Sequence, residues 1–394
     1  METSIPIKTL ISVDPITFPL TGIGRYTWEL IQQLQLLSDI ELSYFSGRRI
    51  VQQLPSPDAG SLTDTPNATS DRFRLKRLVQ SNGVFLELYR LCLPLLQRQA
   101  LKGYEEHIYH ATNYYLPPLS GPGVATFHDL SPFTWAHYHP AQRVRFMQKS
   151  MRASLGRASA LITDSEFTRR EVADYFSWPL DKVFAVPLAS GSEFHPRSSD
   201  ACRAILNEYD LDHGGYTLYV GTIEPRKNLL TLLDAYSRLP LSMRRRWPLI
   251  FAGYYGWGSD AVHRRIDKAK AEGWAKYLGF TPSEHLPVLY SGARLFTFPS
   301  FYEGFGLPVL EAMASGVPVV CSDSASLPEV VGDCGLMTTA ENVEGFTELI
   351  RRGLEDEIWR DSAILSGQIR AKKFSWQECA QNTYKVYKRV VEQI

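Results

Sequence analysis

The stretch Phe298-Pro-Ser-Phe-Tyr-Glu-Gly-Phe-Gly-Leu-Pro-Val-Leu-Glu-Ala-Met-Ala-Ser-Gly-Val-Pro-Val-Val320 changes its local period three times. An apolar, aromatic run ends at Pro299. A turn containing Gly304 and Gly306 follows, Leu307–Ala314 has helical character, and Gly316 stops that helix before a second apolar run, Val317–Cys321. Strand, turn, helix, strand is the unit from which parallel sheets are built. Gly304 and Gly306 allow backbone N–H groups to approach a ligand, and the start of the following helix leaves N–H groups without intrahelical partners. Such a site suits a phosphate. A single helix terminus contributes only ~0.3–2 kcal/mol of charge stabilisation, so other groups must share the binding.

The same rhythm extends outward in both directions. From Tyr216 onward, strands are expected at Thr217–Val220, Leu249–Ala252, Lys276–Leu278, Leu295–Phe298 and Val317–Cys321, with helical segments between them. The first half repeats the pattern at Leu10–Val13, Leu42–Phe45, His107–His110, Val124–Phe127, Ala160–Thr163 and Val183–Val186. The short polar junction Gly191-Ser-Glu-Phe-His-Pro-Arg-Ser-Ser199 marks a domain boundary. The fold class is therefore α/β, with two doubly wound Rossmann-like domains facing each other across a cleft: 1–195, 196–374, and a closing helix over 375–394 expected to pack back on the first domain. Trp376, Ala380, Tyr384 and Tyr387 recur at near-helical spacing in that last segment. Pro55–Ser70, rich in Pro, Ser, Asp and Thr, is expected to be a surface loop.

Composition narrows the function classes. The chain has 394 residues with 42 basic and 42 acidic side chains, a balance that excludes a nucleic-acid coat. No apolar stretch reaches membrane-spanning length, and residues 1–13 carry no signal-peptide pattern, so a cytoplasmic location is expected. The five scattered cysteines form no C-x-x-C pair and read as reduced, structural thiols. The zero net charge conceals local surpluses. Residues 72–102 hold Arg72, Arg74, Lys76, Arg77, Arg90, Arg98 and Lys102 against Glu87 alone, interleaved with leucines and valines. That segment either lies on an anionic membrane surface or covers the N-terminal sheet with a solvated edge. A second basic run, Arg143 to Arg157, contains no acid.

Several side chains could carry chemistry. Glu303 and Glu311 offer two carboxylates to one polyhydroxylated ligand; alternatively Glu303 caps the turn and Glu311 is solvated. Glu311 lies in an otherwise almost wholly apolar helix, where a buried carboxylate needs a partner. Arg226 and Lys227 follow a strand and Pro225, where a guanidinium beside an ammonium can neutralise a diphosphate and its growing leaving-group charge; the alternative is a surface pair. His128, next to Asp129, closes Val124-Ala-Thr-Phe-His128 at the carboxyl end of an expected strand, where doubly wound sheets place ligand contacts. A lone His there is otherwise structural. Thr21-Gly-Ile-Gly-Arg-Tyr26 has Gly22 and Gly24 at a strand-to-helix turn, but Thr27 stands where a dinucleotide fingerprint needs its third glycine.

Glu303 to Glu311 matches the E-x(7)-E motif of the family-4 retaining glycosyltransferases of the GT-B fold, and the chain resembles that family over nearly its whole length. The resemblance includes Gly221-Thr-Ile-Glu-Pro-Arg-Lys-Asn-Leu229, Gly279-Phe-Thr-Pro-Ser-Glu284, Leu289-Tyr290 and Ala293. It implies a nucleotide diphosphate sugar donor bound by the C-terminal domain and a glycan or lipid-linked saccharide acceptor on the N-terminal one. It places Arg226 and Lys227 on the diphosphate and Glu311 on the ribose. Glu303 and the Gly304, Phe305, Gly306 and Leu307 backbone would lie at the sugar, with His128 reaching over as a sugar contact. Gly22, Gly24, Thr222 and Phe280 complete the implied donor site, and His128 and Glu303 are the implied catalytic pair. The implied chemistry is retention by front-face attack with the leaving phosphate as base. No metal or other cofactor is expected, because Arg226 and Lys227 supply the positive charge.

The run His128-Asp-Leu-Ser-Pro with His139-Pro140 and Asp164-Ser-Glu-Phe-Thr-Arg169 is similar to bacterial mannosyl- and deoxyhexosyltransferases of surface polysaccharide and O-antigen assembly. GDP-mannose or a GDP-deoxyhexose is the favoured donor, with a UDP-sugar as the alternative. Such a role implies work at the cytoplasmic face of the inner membrane, contacted through the basic 72–102 segment, and no nucleic-acid partner. Two other classes remain open: a nucleotide-sugar hydrolase or epimerase without transfer, and a noncatalytic nucleotide-sugar-binding module.

Overall fold

The computed structural model describes residues 6–56 and 93–393. The Pro55–Ser70 stretch beyond residue 56, and 72–92 of the basic segment, lie outside the described residues; 93–100 is helical.

The first sheet contains β1 (Ile7–Ser12), β2 (Ile40–Ser46), β3 (Arg49–Val51), β4 (Ile108–Ala111), β5 (Gly123–Phe127), β6 (Ala160–Thr163) and β7 (Val183–Ala185), in the order β3-β2-β1-β4-β5-β6-β7. All its pairs are parallel except the β2–β3 hairpin. The second sheet contains β8 (Thr217–Val220), β9 (Leu249–Ala252), β10 (Ala275–Gly279), β11 (Leu295–Phe298), β12 (Val319–Ser322) and β13 (Leu336–Thr338), in the order β10-β9-β8-β11-β12-β13, wholly parallel. Strand order reverses between β1 and β4 in one sheet and between β8 and β11 in the other. At such switch points the connections diverge to opposite faces and leave a crevice at the carboxyl ends of the strands.

Central strands such as β5, β8, β9 and β11 are buried along their whole length, which is why they read as continuous apolar runs. The expected strands are all present; Ala160–Thr163, Thr217–Val220, Leu249–Ala252 and Leu295–Phe298 keep their expected ends and the others shift by one to three residues. Val317–Cys321 becomes Val319–Ser322, because Pro318 has no N–H for the ladder and contributes only its carbonyl, which accepts from Phe296. Edge strands β3 and β13 were not expected: each is three residues with none fully buried, so neither an apolar run nor an alternation marks it.

The final helix, Trp376–Glu392, packs against the Gly22–Leu34 helix and β6 of the first sheet. Its Tyr387 hydroxyl lies 2.6 Å from His110 Nδ1, inside the first domain's core. Among the described residues, no helix is long and apolar enough to cross a membrane.

Candidate active site between the two sheets

The carboxyl ends of both sheets face a cleft of about 590 Å³. Asp14, the Thr21–Gly24 turn, Asn113 and Arg143 form one wall, and Thr222, Glu224, Arg226, Lys227 and Trp257 the other.

The cationic wall is built by a sharp turn. After β8 the chain passes Gly221, makes a single 3-10 turn over Pro225–Lys227, and enters the Leu229–Ser237 helix through Asn228 at φ 56°. The Asn228 amide fixes that left-handed residue by donating to the carbonyls of Pro299 (2.9 Å) and Ala340 (2.6 Å). The turn thus sits against the loop after β11. Lys227 Nζ lies 2.6 Å from Glu303 Oε1, Arg226 Nη1 3.1 Å from Glu303 Oε2, and Arg226 Nη2 2.9 Å from Glu224 Oε1.

This differs from a freely exposed Arg-Lys pair. Both cations are largely buried and already partnered, two against two carboxylates. Burial alone would raise the Glu303 pKa, but Lys227 and Arg226 outweigh it and hold the carboxyl down at about 2. Burial likewise opposes the Arg226 charge, and Glu303 and Glu224 more than restore it. One donor is left over: Arg226 Nε is buried without a hydrogen-bond partner.

Glu303 belongs to the Pro299–Leu307 loop. Gly306 has φ 110° and caps the Leu307–Ala314 helix, a conformation that requires glycine. Gly304 is required by the other domain as well. A Cβ there would fall 1.8 Å from the His128 carbonyl oxygen, so its missing side chain admits the other domain. The Ser326 hydroxyl lies 2.8 and 2.9 Å from the Glu303 and Phe305 carbonyl oxygens and fixes the turn from beneath. The Phe305 side chain is buried against Phe374, so only its backbone can serve a ligand. Leu307 is half-buried at the helix start.

Glu311 is half-buried one turn into that helix. Burial pushes its carboxyl up to about 7, against the opposing pull of Arg25 and the Tyr290 hydroxyl. Arg25 comes from the first domain, next to Gly24, and forms a salt bridge with Glu193 of the linker. Gly24 approaches the backbone closely, since a Cβ would stand 2.7 Å from the Pro15 carbonyl oxygen; Gly22 has open space around it. Thr222 lines the cleft, and Phe280 is half exposed beside Tyr254, their ring centroids 4.9 Å apart.

His128 is placed differently from the expectation that it reaches across to a sugar. Its Nδ1 lies 2.8 Å from Asp164 Oδ2 and its Nε2 2.9 Å from the Thr112 carbonyl oxygen. With Asp164 ionised both partners are acceptors, an arrangement that favours the imidazolium, although burial also raises the Asp164 pKa. Burial opposes that charge, but Asp164 outweighs it and the His128 pKa is raised. Tyr26 and Tyr114 pack edge-on against the ring. Both ring nitrogens are therefore engaged within the first domain, and the group His128 presents to the second is its carbonyl, against Gly304.

Sequence reading missed Glu224, Tyr302, Arg25, Arg143 and Trp257. Glu224 and Arg25 were findable as neighbours of marked motifs, whereas Arg143 and Trp257 meet only through folding, with the guanidinium 5.2 Å from the indole centroid. The segment Trp135–Pro140 forms an aromatic seam between the domains, Trp135 and Tyr138 stacking with Phe301 at 5.8 and 6.0 Å. Among the described residues, no group of three or more His, Cys, Asp or Glu is arranged to hold a metal. The chain's one D-x-D spacing, Asp210-Leu211-Asp212, lies near the start of β10, where Asp210 pairs with Lys276 at 3.0 Å.

Two Rossmann-like sheets with a cleft between their carboxyl ends, closed by a final helix returning to the first sheet, define the GT-B glycosyltransferase architecture. Sucrose-phosphate synthase from Thermosynechococcus elongatus superimposes with a TM-score of 0.70 at 22% identity, covering 99% of this chain and 100% of that one. Anabaena HepE in complex with UDP and glucose gives a TM-score of 0.68 at 16% identity, over 97% and 99% of the two chains. Residues 208–370 match the family described as glycosyl transferases group 1. The O-antigen chain mannosyltransferase B of Escherichia coli is 44% identical over 97% of this chain and 100% of its own length. A second E. coli relative, the serotype-specific mannosyltransferase WbdA, is 31% identical over 68% of this chain and 34% of its own. The chain belongs to the group 1 glycosyltransferase family.

Proposed function

We propose that the protein transfers mannose from GDP-mannose, with retention of anomeric configuration, to a growing saccharide of O-antigen assembly. The observation that carries this reading is the 44% identity, over 97% of this chain and the whole of the relative, to the E. coli O-antigen chain mannosyltransferase B. The geometry supports it by supplying the groups such a transfer needs. Arg226 and Lys227 stand at the cleft with one buried N–H of Arg226 still unpartnered. An incoming diphosphate shares these cations with Glu303. As the glycosidic bond breaks, the same cations stabilise the charge that accumulates on the leaving diphosphate. Glu311 accepts the ribose hydroxyls, and Glu303, held ionised, orients the sugar hydroxyls. Gly304 and the His128 carbonyl bring the two walls together around the reacting centre. The acceptor enters from the N-terminal wall, on the same face as the leaving phosphate, whose oxygen takes the acceptor proton. No divalent ion is needed in this scheme, because the two cations perform its electrostatic work. The acceptor saccharide is presented at a membrane surface, which the basic 72–102 segment contacts.

A thermal-shift series with GDP, UDP, ADP and their sugars tests the donor, since a ligand that binds the native state raises its apparent stability. The reading requires GDP and GDP-mannose to give the largest shifts. Transfer followed by NMR must yield an α-mannoside, and chelator must leave the rate unchanged. Stabilisation by UDP-sugars alone, or release of free sugar at a rate indifferent to acceptor, would overturn it.

A further inference from the structure

Glu329 stands on the short Leu327–Val331 helix of the C-terminal domain, yet its carboxylate serves the other domain. It accepts the backbone N–H groups of Glu166 (2.8 Å) and Phe167 (2.5 Å). Those are the first residues of the N-terminal-domain helix Glu166–Phe176, whose opening N–H groups have no intrahelical partners. Ser165 caps the same helix, accepting from the Thr168 N–H at 3.1 Å while donating to the Gly304 carbonyl at 2.7 Å. The Thr168 hydroxyl donates to that carbonyl as well, at 3.2 Å. Two residues earlier in the loop, the Tyr302 hydroxyl accepts the Leu130 N–H at 2.8 Å and donates to Glu171.

Residues on both sides of Glu303 are thus gripped by the N-terminal domain: Gly304 by the first turn of the Glu166–Phe176 helix, and Tyr302 by Leu130 and by Glu171 further along that helix. The opening beside Glu329 is lined by Glu166, Glu171 and Asp174 together with Arg170. Like charges disfavour the Glu329 carboxylate there, and what compensates is the pair of helix N–H groups it receives. Its contacts exist only while the domains are in this arrangement.

We infer that Glu329 is a positioning residue: by capping a helix of the opposite domain it fixes how the domains meet, and through Ser165, Thr168 and Gly304 it fixes the loop that carries Glu303. The inference rests on the proposed function for the role of that loop at the sugar. The interdomain coupling itself does not depend on which donor is used. Nucleotide affinity, supplied by Arg226, Lys227 and Glu311, is not its target; the rate of transfer is.

The test uses full-length Glu329→Ala and Glu329→Gln proteins. Hydrogen exchange of the ligand-free proteins should show faster exchange both at 166–167 and at 303–306, a coupled local opening. With the donor that the wild type uses, kcat should fall about tenfold to a hundredfold, as expected for a misplaced reacting loop, while nucleotide Kd stays within about twofold. Glu329→Gln, which keeps one acceptor oxygen, should fall between Ala and wild type. Faster exchange confined to 166–167, or kcat within about twofold of wild type, would overturn the inference. If Glu329→Ala does not fold, Glu329→Gln alone carries both measurements. A wild type that ignores GDP-mannose but uses another donor would refute the proposed donor and leave this test intact.

Discussion

Replacing Glu303 by Gln should make the protein less stable and its nucleotide affinity higher at once. The substitution keeps the shape and removes one charge from a cluster of two cations and two carboxylates. The Glu303 pKa of about 2, against an ordinary 4.5, corresponds to about 3 kcal/mol favouring the ionised form. Breaking a buried ion pair on one side costs about 3–5 kcal/mol, because the surviving cations stay buried. For a domain of this size that lowers Tm by roughly 6–20 °C. The sign with pH follows from the lowered pKa. The contribution of Glu303 is complete above about 4.5 and is lost as pH falls toward about 2, so wild type and variant should converge in acid. An incoming diphosphate no longer competes with a carboxylate for Arg226 and Lys227. At about 4 Å and an effective dielectric of about 20 a unit charge is worth about 4 kcal/mol, of which Glu224 and solvent offset a part, so GDP should bind roughly tenfold or more tightly. Transfer should nevertheless drop, since the sugar loses its ionised partner. Calorimetric titration with GDP and thermal melts from pH 7 to pH 3 read both effects. Wild-type GDP affinity in the variant, or a Tm gap unchanged down to pH 3, would refute the reasoning.

Three further outcomes follow from the same geometry. Burial pushes the Glu311 carboxyl up to about 7; if it accepts the ribose hydroxyls as proposed, its ionised form does so best, and GDP-mannose affinity should rise through pH 7 and level off above it. Glu311→Gln should bind more weakly and abolish the pH step, and a flat wild-type profile from pH 5.5 to 8.5 would count against the assignment. His128→Ala and Asp164→Ala should each destabilise by about 3–5 kcal/mol by stranding a buried charge, whereas the double variant should cost clearly less than their sum. Additive losses in a denaturant-unfolding cycle would show that the pair is not coupled. Gly304→Ala places a methyl 1.8 Å from the His128 carbonyl oxygen, so kcat should collapse while GDP still binds; near-normal turnover would show that the close approach of the domains is dispensable.

The α/β class, the central strands and the two-domain division were legible because buried parallel strands are continuous apolar runs set off by glycine, proline and helical periods. Strands β3 and β13 were not, since neither has a fully buried residue and so neither forms an apolar run or an alternation. At the site, the sequence marked Glu303, Glu311, Arg226, Lys227, His128 and the glycines, because charged and flexible residues at the ends of apolar runs have few structural reasons to be there. It left open how they were partnered. Glu303 and Lys227 are 76 positions apart, and their pairing depends on how the loops after β8 and β11, adjacent strands, converge. The same holds between domains: that Gly304 is small to admit the His128 carbonyl, and that Glu329 caps a helix 163 positions away, are consequences of two sheets facing each other at their carboxyl ends. Hydrophobic pattern and local conformational preference determine elements within a few residues of themselves. Charge compensation and close approach depend on distances that exist only once the chain has packed.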